Sequence, residues 1–378
     1  MADATGKGLE GVVAAQTRIS DVDGRRGRLF YAGYDIADLA AHATFEETIH
    51  LLHHLELPTA AELEETVATL RAGSVLEPLL VELIGSLAER TGPMTTLRTA
   101  VSAAAALDPD DDDSDEANLR KAFRLMAKTP QIIATYQRLR TGADAIEPRD
   151  DLGMAANFLY ALTGKQPDPQ VARDFDVVLV LYADHTLNAS TFAGRVAAAT
   201  LADMYAATTA AVATLQGPLH GGAIEGVREM LEDIRTPDRA PDWVRRRLAE
   251  RQKIMGFGHR VYKTWDPRAT VLREIAERLG RQFGETRWYD TSIRVQETVM
   301  EEKTLYPNVD FYTASVYSAL QLPPDLYTPL FAASRMAGWT AHIREQYADN
   351  RLIRPDSEYI GPEPRKWRPL EGRGQDPA

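Results

Sequence analysis

At 378 residues with no cysteine, the chain is too long for one ordinary domain and has no disulfide, thiolate catalyst or thiolate metal ligand. Two domains, or one large domain with a lobe, are expected. Hydrophobic residues make up 44% without a long unbroken apolar run, so no membrane span and no signal peptide are expected, and a soluble cytoplasmic protein is. The net charge of −12 argues against sequence-independent binding to nucleic acid or to an anionic membrane. The cations are 35 Arg and only 8 Lys, against 55 carboxylates. A carboxylate-rich, lysine-poor surface stays hydrated in salt, which suggests a halophilic protein, although a GC-rich genome would also favour Arg.

In chain order, the polar turn DVDGRRG lies between short β-prone pieces and predicts a small hairpin with 28–31 as one strand. Thr44 with Glu47 and Thr59 with Glu62 have the capping-box spacing and open helices over 45–55 and 60–70. A helix over 78–90 follows, then the break at Gly92-Pro93 and a helix over 96–106. The run DPDDDDSD at 108–115 offers a metal or partner site on one reading. Adjacent carboxylates without spaced ligands are better read as a solvated loop. Further helices are expected over 116–128, 130–140, 151–163 closed by Gly164, and 169–182. The Ala-rich stretch 189–215 reads as fully buried, at the centre or at a subunit interface. No internal repeat is visible, and the fold class is mostly α with a small N-terminal β element.

Five of the eight histidines, His42, His50, His53, His54 and His342, fall in helical segments, where packing is the ordinary role. His185 (ADHTLNAST), His220 (GPLHGG) and His259 (GFGHR) sit in irregular contexts from which a ring can reach a ligand. Gly256 and Gly258 permit a tight turn before His259; Lys263 and Arg268 follow it, and Asp266-Pro267 reads as a helix start. Such a segment suits an anionic ligand. The three histidines with Asp310 make a conceivable metal set, but no pair has short helical spacing, and Arg260, Lys263 and Arg268 oppose a divalent ion. No metal is expected. Nor is GFGHR a dinucleotide fingerprint, lacking the third glycine. Asp310 opens an apolar helix, as a cap or as a base. Arg335, inside FAASRMAGW, needs a facing carboxylate, which a ligand could supply. Arg351 and Arg354 precede a Pro-rich tail expected to wrap a surface.

In order along the chain, GPLHGG, GFGHRVYKTWDPR, NVDFYTASVY, LFAASRMAGW and RLIRPDSEYIG, together with ADHTLNAST, resemble the citrate synthase family over nearly the whole sequence. The resemblance implies a two-domain helical homodimer. Its large domain would be 1–218 and 321–378, carrying the dimer interface, and its small mobile domain 219–320, with the active site between. It implies condensation of acetyl-CoA with oxaloacetate and hydrolysis of citryl-CoA to citrate and CoA, the entry step of the citric acid cycle, with CoA species as substrate and product and no tightly bound cofactor. Carried over residue by residue, Asp310 is the base, His220 donates to the thioester oxygen, and His259 polarises the oxaloacetate ketone. His185, Arg268 and Arg335 hold the oxaloacetate carboxylates, with Arg354 arriving from the partner subunit. Lys253, Gly256, Gly258 and Lys263 match the segment that contacts CoA. Thr186, Ile224 and Asp356 depart from the family's common pattern at positions without an assigned role. No NADH regulation is expected, since the N-terminal region of relatives so regulated has no counterpart. The alternative is 2-methylcitrate synthase, the same condensation with propionyl-CoA. From other classes come a non-catalytic paralogue that binds CoA or a partner, and a metal-dependent hydrolase.

Overall fold

A computed structural model of the chain describes residues 7–9 and 11–373. Three short strands, β1 (Ser20–Asp23), β2 (Arg28–Tyr31) and β3 (Tyr34–Asp35), pair antiparallel, with Ser20 opposite Tyr31 and Asp23 opposite Arg28. The turn forms because the Asp23 carboxylate accepts the N–H groups of Arg25 (3.1 Å) and Arg26 (3.0 Å), a local alternative to strand pairing that Asp favours. Leu29 and Tyr31 alternate inward and are fully buried, as the two-residue period of a strand requires.

The rest is helical: α1 (Ile36–His42), α2 (Phe45–His54), α3 (Ala60–Gly73), α4 (Pro78–Ala88), α5 (Pro93–Ala104), α6 (Asp115–Arg140), α7 (Met154–Thr163) and α8 (Pro169–Tyr182). Then come α9 (Ala189–Ala198), α10 (Met204–Leu215), α11 (Ala223–Ile234), α12 (Ala240–Ala249), α13 (Pro267–Phe283), α14 (Arg287–Glu302), α15 (Val309–Ala319) and α16 (Tyr327–Ala348). Both capping boxes form: Thr44 and Thr59 accept from the N–H of Glu47 and Glu62, whose carboxylates return the bond to the threonine N–H groups. Each satisfies two otherwise orphan donors of a helix start. The acidic run 108–115 is a loop tied down by cations, with Asp108 and Asp110 both paired to Arg124.

Two expectations are corrected. No break occurs at Pro130: α6 is one helix of 26 residues. Proline removes a single rung of the backbone ladder, and residues 121–136 are buried almost without interruption between α3, α4, α5, α7 and α16. Packing outweighs the lost bond. The Ala-rich stretch is two helices, α9 and α10, broken where Leu201 takes φ 62, and it is not fully buried, since Ala206 and Ala213 are exposed and Phe192, Val196 and Ala210 half-buried. Small residues let α9 and α10 pack closely on each other without requiring that their outer faces be covered within the chain.

The centre of the molecule is α8 and α16. Residues 174–182 of α8 and 327–343 of α16 are buried throughout, which explains why neither shows a polar stripe. Helices α11 to α15 contact mainly one another and meet the rest of the chain through α1, α8 and α16. The tail beyond α16 is extended and exposed, with Tyr359, Ile360 and Trp367 largely in solvent, so it wraps no surface of its own chain. No helix among the described residues is long and apolar enough to cross a membrane.

Candidate active site

The turn before His259 needs its glycines. Gly256 and Gly258 have φ 78 and 81, in the left-handed region that a Cβ disfavours, and a Cβ on Gly256 would lie 2.8 Å from the Phe311 ring. Asn308 rivets this turn to the start of α15. Its N–H donates to the Gly256 carbonyl (2.9 Å), its Nδ2 to the Gly258 carbonyl (3.1 Å), and its Oδ1 accepts the N–H of Asp310 (3.1 Å). Asp266 does the same for α13. Its carboxylate caps the Arg268 N–H (3.1 Å), grips the Arg268 guanidinium through Nε (2.9 Å) and Nη2 (2.8 Å), and accepts the N–H of Val309 (3.1 Å). His259, Arg268 and Asp310 are thereby placed by two residues whose side chains do nothing but hold backbone and one guanidinium.

The His259 tautomer follows from geometry. Nδ1 accepts from the N–H groups of Val261 (3.0 Å) and Tyr262 (3.2 Å), so the proton of the neutral ring sits on Nε2. Burial, then the charge of Arg268, pulls the His259 pKa down to about 4, leaving a neutral donor at pH 7. His185 lies past the end of α8, its ring 5.2 Å from that of His259 and its Nε2 3.3 Å from the Tyr262 hydroxyl. Burial chiefly, then Arg268, His259 and Arg335, holds its pKa well below the ordinary value.

His220 sits in the turn between α10 and α11, its Nε2 2.8 Å from the Ser190 hydroxyl. That hydroxyl accepts from Trp339 Nε1 (3.0 Å) and donates to Asn188 Oδ1 (2.7 Å). Asn188 Oδ1 already accepts the N–H groups of Ser190 and Thr191, each at 3.1 Å. Ser190 thus fixes the His220 ring by its Nε2. Burial, then Arg335, takes its pKa to about 4.

Asp310 is held by Tyr182, whose hydroxyl donates to Oδ1 at 3.0 Å. Burial pushes its pKa up to about 6, with Tyr182, Arg268 and Arg335 pulling the other way. Arg335 is buried on α16, its Nε donating to the Tyr182 carbonyl (2.6 Å) and its guanidinium 4.7 Å from the Phe331 ring centroid. No carboxylate of the described residues lies within ion-pair distance of it, and burial lowers its pKa although the charge of Asp184 works the other way. Phe331 joins the parts, touching Tyr182 (4.7 Å) and His220 (6.1 Å) edge-on. The cluster therefore offers one raised-pKa carboxylate, two buried imidazoles, and two buried guanidiniums, one of them without an ion-pair partner among the described residues: equipment for moving a proton beside an anion.

Not every expected residue joins it. Arg354 is exposed on the tail, 3.5 Å from Asp356. Lys253 is exposed ahead of the glycine turn, and Lys263 is exposed with its Nζ on the Arg260 carbonyl (3.2 Å). No group of three or more His, Asp or Glu among the described residues is arranged to hold a metal. Sequence reasoning passed over Asn308, Tyr182, Ser190 and Phe331 and read Asp266 as a helix start only; the N-cap positions of Asn308 and Asp266 were the available signal.

A family model described as "Citrate synthase, C-terminal domain" matches residues 8–356. The chain is 50% identical over 369 residues to "Citrate synthase 2" of Bacillus subtilis, covering 97% of this chain and 99% of that one. It is 40% identical over 370 residues to a "2-methylcitrate synthase" of Shewanella oneidensis, covering 98% of each. Among solved structures, it superposes with TM-score 0.92 and 34% identity on a ternary complex of carboxymethyl coenzyme A and oxaloacetate with citrate synthase from Thermoplasma acidophilum, covering 97% and 99% of the two chains.

Proposed function

The chain belongs to the citrate synthase family, and we propose that its buried carboxylate Asp310 is the base of the condensation, served by His220 and His259. The enzyme is an acyltransferase that joins acetyl-CoA to oxaloacetate and hydrolyses citryl-CoA to citrate and CoA. In this reading Asp310 takes a proton from the acetyl methyl group while His220 donates to the thioester oxygen, where negative charge develops. The enol carbon then bonds to the ketone carbon of oxaloacetate, whose oxygen receives the hydrogen bond and proton of His259 Nε2–H. Water finally cleaves the thioester of citryl-CoA. A carboxylate with pKa about 6 is ionised at pH 7 yet more basic than an exposed one, as a general base requires. That combination, a raised Asp310 beside two imidazoles whose pKa values fall to about 4, is the observation that carries the reading.

Arg268, Arg335 and His185 bind the oxaloacetate carboxylates, and the missing carboxylate partner of Arg335 is then the substrate's. Arg354 completes the clamp from the partner subunit of a homodimer. The exposed Tyr359, Ile360 and Trp367 of the tail and the half-covered faces of α9 and α10 support such a partner, since apolar surface of this extent is ordinarily covered. The mutual packing of α11 to α15 supports a mobile small domain over 219–320 that closes on oxaloacetate, with Lys253, Gly256, Gly258 and Lys263 toward CoA. The chemistry asks for a base, donors and cations only, so no metal or redox cofactor belongs to it. A cytoplasmic, salt-adapted enzyme fits the acidic composition.

The test is CoA thiol release in the presence of oxaloacetate, in low and high salt; the absence of cysteine keeps a thiol reagent free of protein background. Faster release from acetyl-CoA is expected. Preference for propionyl-CoA would move the assignment to 2-methylcitrate synthase, the name carried by the S. oneidensis relative, and no release would refute both.

A further inference from the structure

The N-terminal hairpin has no role in the chemistry above, yet each of its ends touches one of the two histidine loops. At the open end of the strands, Ser20 Oγ donates to the Asp184 carboxylate and accepts the N–H of Thr186 (3.1 Å). The Tyr31 hydroxyl, fully buried, accepts the N–H of Asp184 (3.1 Å) and lies within hydrogen-bond distance of the carbonyls of Val180 (3.1 Å) and Asp184 (3.0 Å). Backbone on both sides of His185 is therefore anchored to β1 and β2. At the turn, the Gly24 carbonyl accepts the N–H of Lys263 (2.8 Å). A Cβ on Gly24 would lie 2.8 Å from the Val261 carbonyl carbon and closer still to its oxygen, and one on Gly27 would lie 2.5 Å from the Trp265 carbonyl oxygen. The hairpin turn is thus in backbone-to-backbone contact with the segment 261–265.

That segment is what orients His259. Its Nδ1 is held by the N–H groups of Val261 and Tyr262, and the Tyr262 hydroxyl is the atom that meets His185 Nε2. We propose that the hairpin from Ser20 to Tyr31 is a positioning element of the oxaloacetate site, holding the His185 loop with its strands and the His259 loop with its turn. This rests on the reading above that both histidines bind oxaloacetate. Neither end touches the reacting atoms; the hairpin acts by fixing the separation and facing of two rings whose centroids are 5.2 Å apart. If 219–320 moves as a domain, the turn at Gly24 is also the contact that must re-form each time the site assembles.

Gly24 gives a clean test because its φ lies outside the left-handed region and only Val261 excludes a side chain there. Relieving that clash displaces the 261–265 backbone by an amount of order 1 Å, and a misplacement of that size costs about tenfold to a hundredfold in rate. Gly24→Ala is expected to lower kcat/KM for oxaloacetate by about that factor, in a protein still folded at the assay temperature. Gly92→Ala, at a glycine with open space around it, is the control. In a His259→Ala background, Gly24→Ala should add less than about twofold, because the hairpin acts through that ring. Wild-type oxaloacetate kinetics in Gly24→Ala, or its full effect persisting without His259, would overturn the proposal. Should Gly24→Ala not fold, Ser20→Ala must raise the oxaloacetate KM severalfold, and an unchanged value overturns the proposal equally. A His259→Ala enzyme with normal oxaloacetate kinetics would overturn the parent reading together with this one, and that single variant tells the two failures apart.

Discussion

Replacing Asp310 with Asn should inactivate the enzyme and stabilise it. Asp310 keeps its place through backbone bonds and Tyr182, all of which Asn can make, so shape is conserved while the charge is lost. In the native protein the carboxyl pKa is about 6, raised chiefly by burial, whereas in the unfolded chain it is near 4. The folded state therefore binds the extra proton between about pH 4 and 6, and stability falls as pH rises through that window. Above it the full penalty is present: two pKa units at about 1.4 kcal/mol each give an upper figure of about 3 kcal/mol. Asp310→Asn should recover part of this at pH 8 and almost none at pH 4.5. The check is calorimetric melting of both proteins at the two pH values and fixed concentration, beside thioester consumption with acetyl-CoA and oxaloacetate. Turnover should fall by at least about two orders of magnitude. A variant less stable than the parent at pH 8, or a stability difference independent of pH, would refute a buried, ionised base at this position.

His220→Ala should likewise cost at least about two orders of magnitude in turnover with oxaloacetate affinity kept. Ser190→Ala, by releasing the contact at His220 Nε2, should lower turnover by a smaller factor; equal turnover in both variants and the parent would remove the donor role. Arg354→Ala should weaken oxaloacetate binding, measured by titration calorimetry, with little change in the melting temperature, since within its own chain the side chain is exposed and, among the described residues, pairs with the exposed Asp356; unchanged affinity refutes the clamp. If the carboxylate excess is an adaptation to salt, the melting temperature should rise between dilute and molar potassium chloride, and a flat response ends that idea. The pH profile of kcat/KM for acetyl-CoA should lose activity below about pH 6, tenfold per unit, as Asp310 becomes protonated; a limb near pH 4 would assign it to an unburied carboxylate.

The sequence separates His185, His220 and His259 from the other histidines because loop context is local, and glycine, aspartate and asparagine mark it within a few positions. Capping boxes and the Asp23 turn are legible for the same reason. What orients the site is not local. Tyr182 reaches Asp310 across 128 positions, Asn308 reaches Gly258 across 50, and Ser190 reaches His220 across 30; no spacing rule connects such pairs. Family likeness supplied roles for Asp310, His220 and His259, whereas only the coordinates show two backbone N–H groups on His259 Nδ1 and Ser190 on His220 Nε2. Pro130 misled for the opposite reason, a strong local rule overridden by burial on several sides of α6. The Ala-rich stretch was read correctly as close-packing, but its own chain covers it only in part, because small side chains report how near a neighbour comes and not how many neighbours there are.

Asp266 has a meaning for how this sequence can change. Its two oxygens serve the Arg268 N–H, the Arg268 guanidinium and the Val309 N–H at once, in a place with no exposed surface. Asn would leave a buried guanidinium without its counter-charge, and Glu would need room for a methylene that is not there. Arg268 and the helix that carries Asp310 are thus tied to one carboxylate, so that drift or redesign at 266 or 268 can succeed only when both move together, while position 309 has only to keep a backbone N–H.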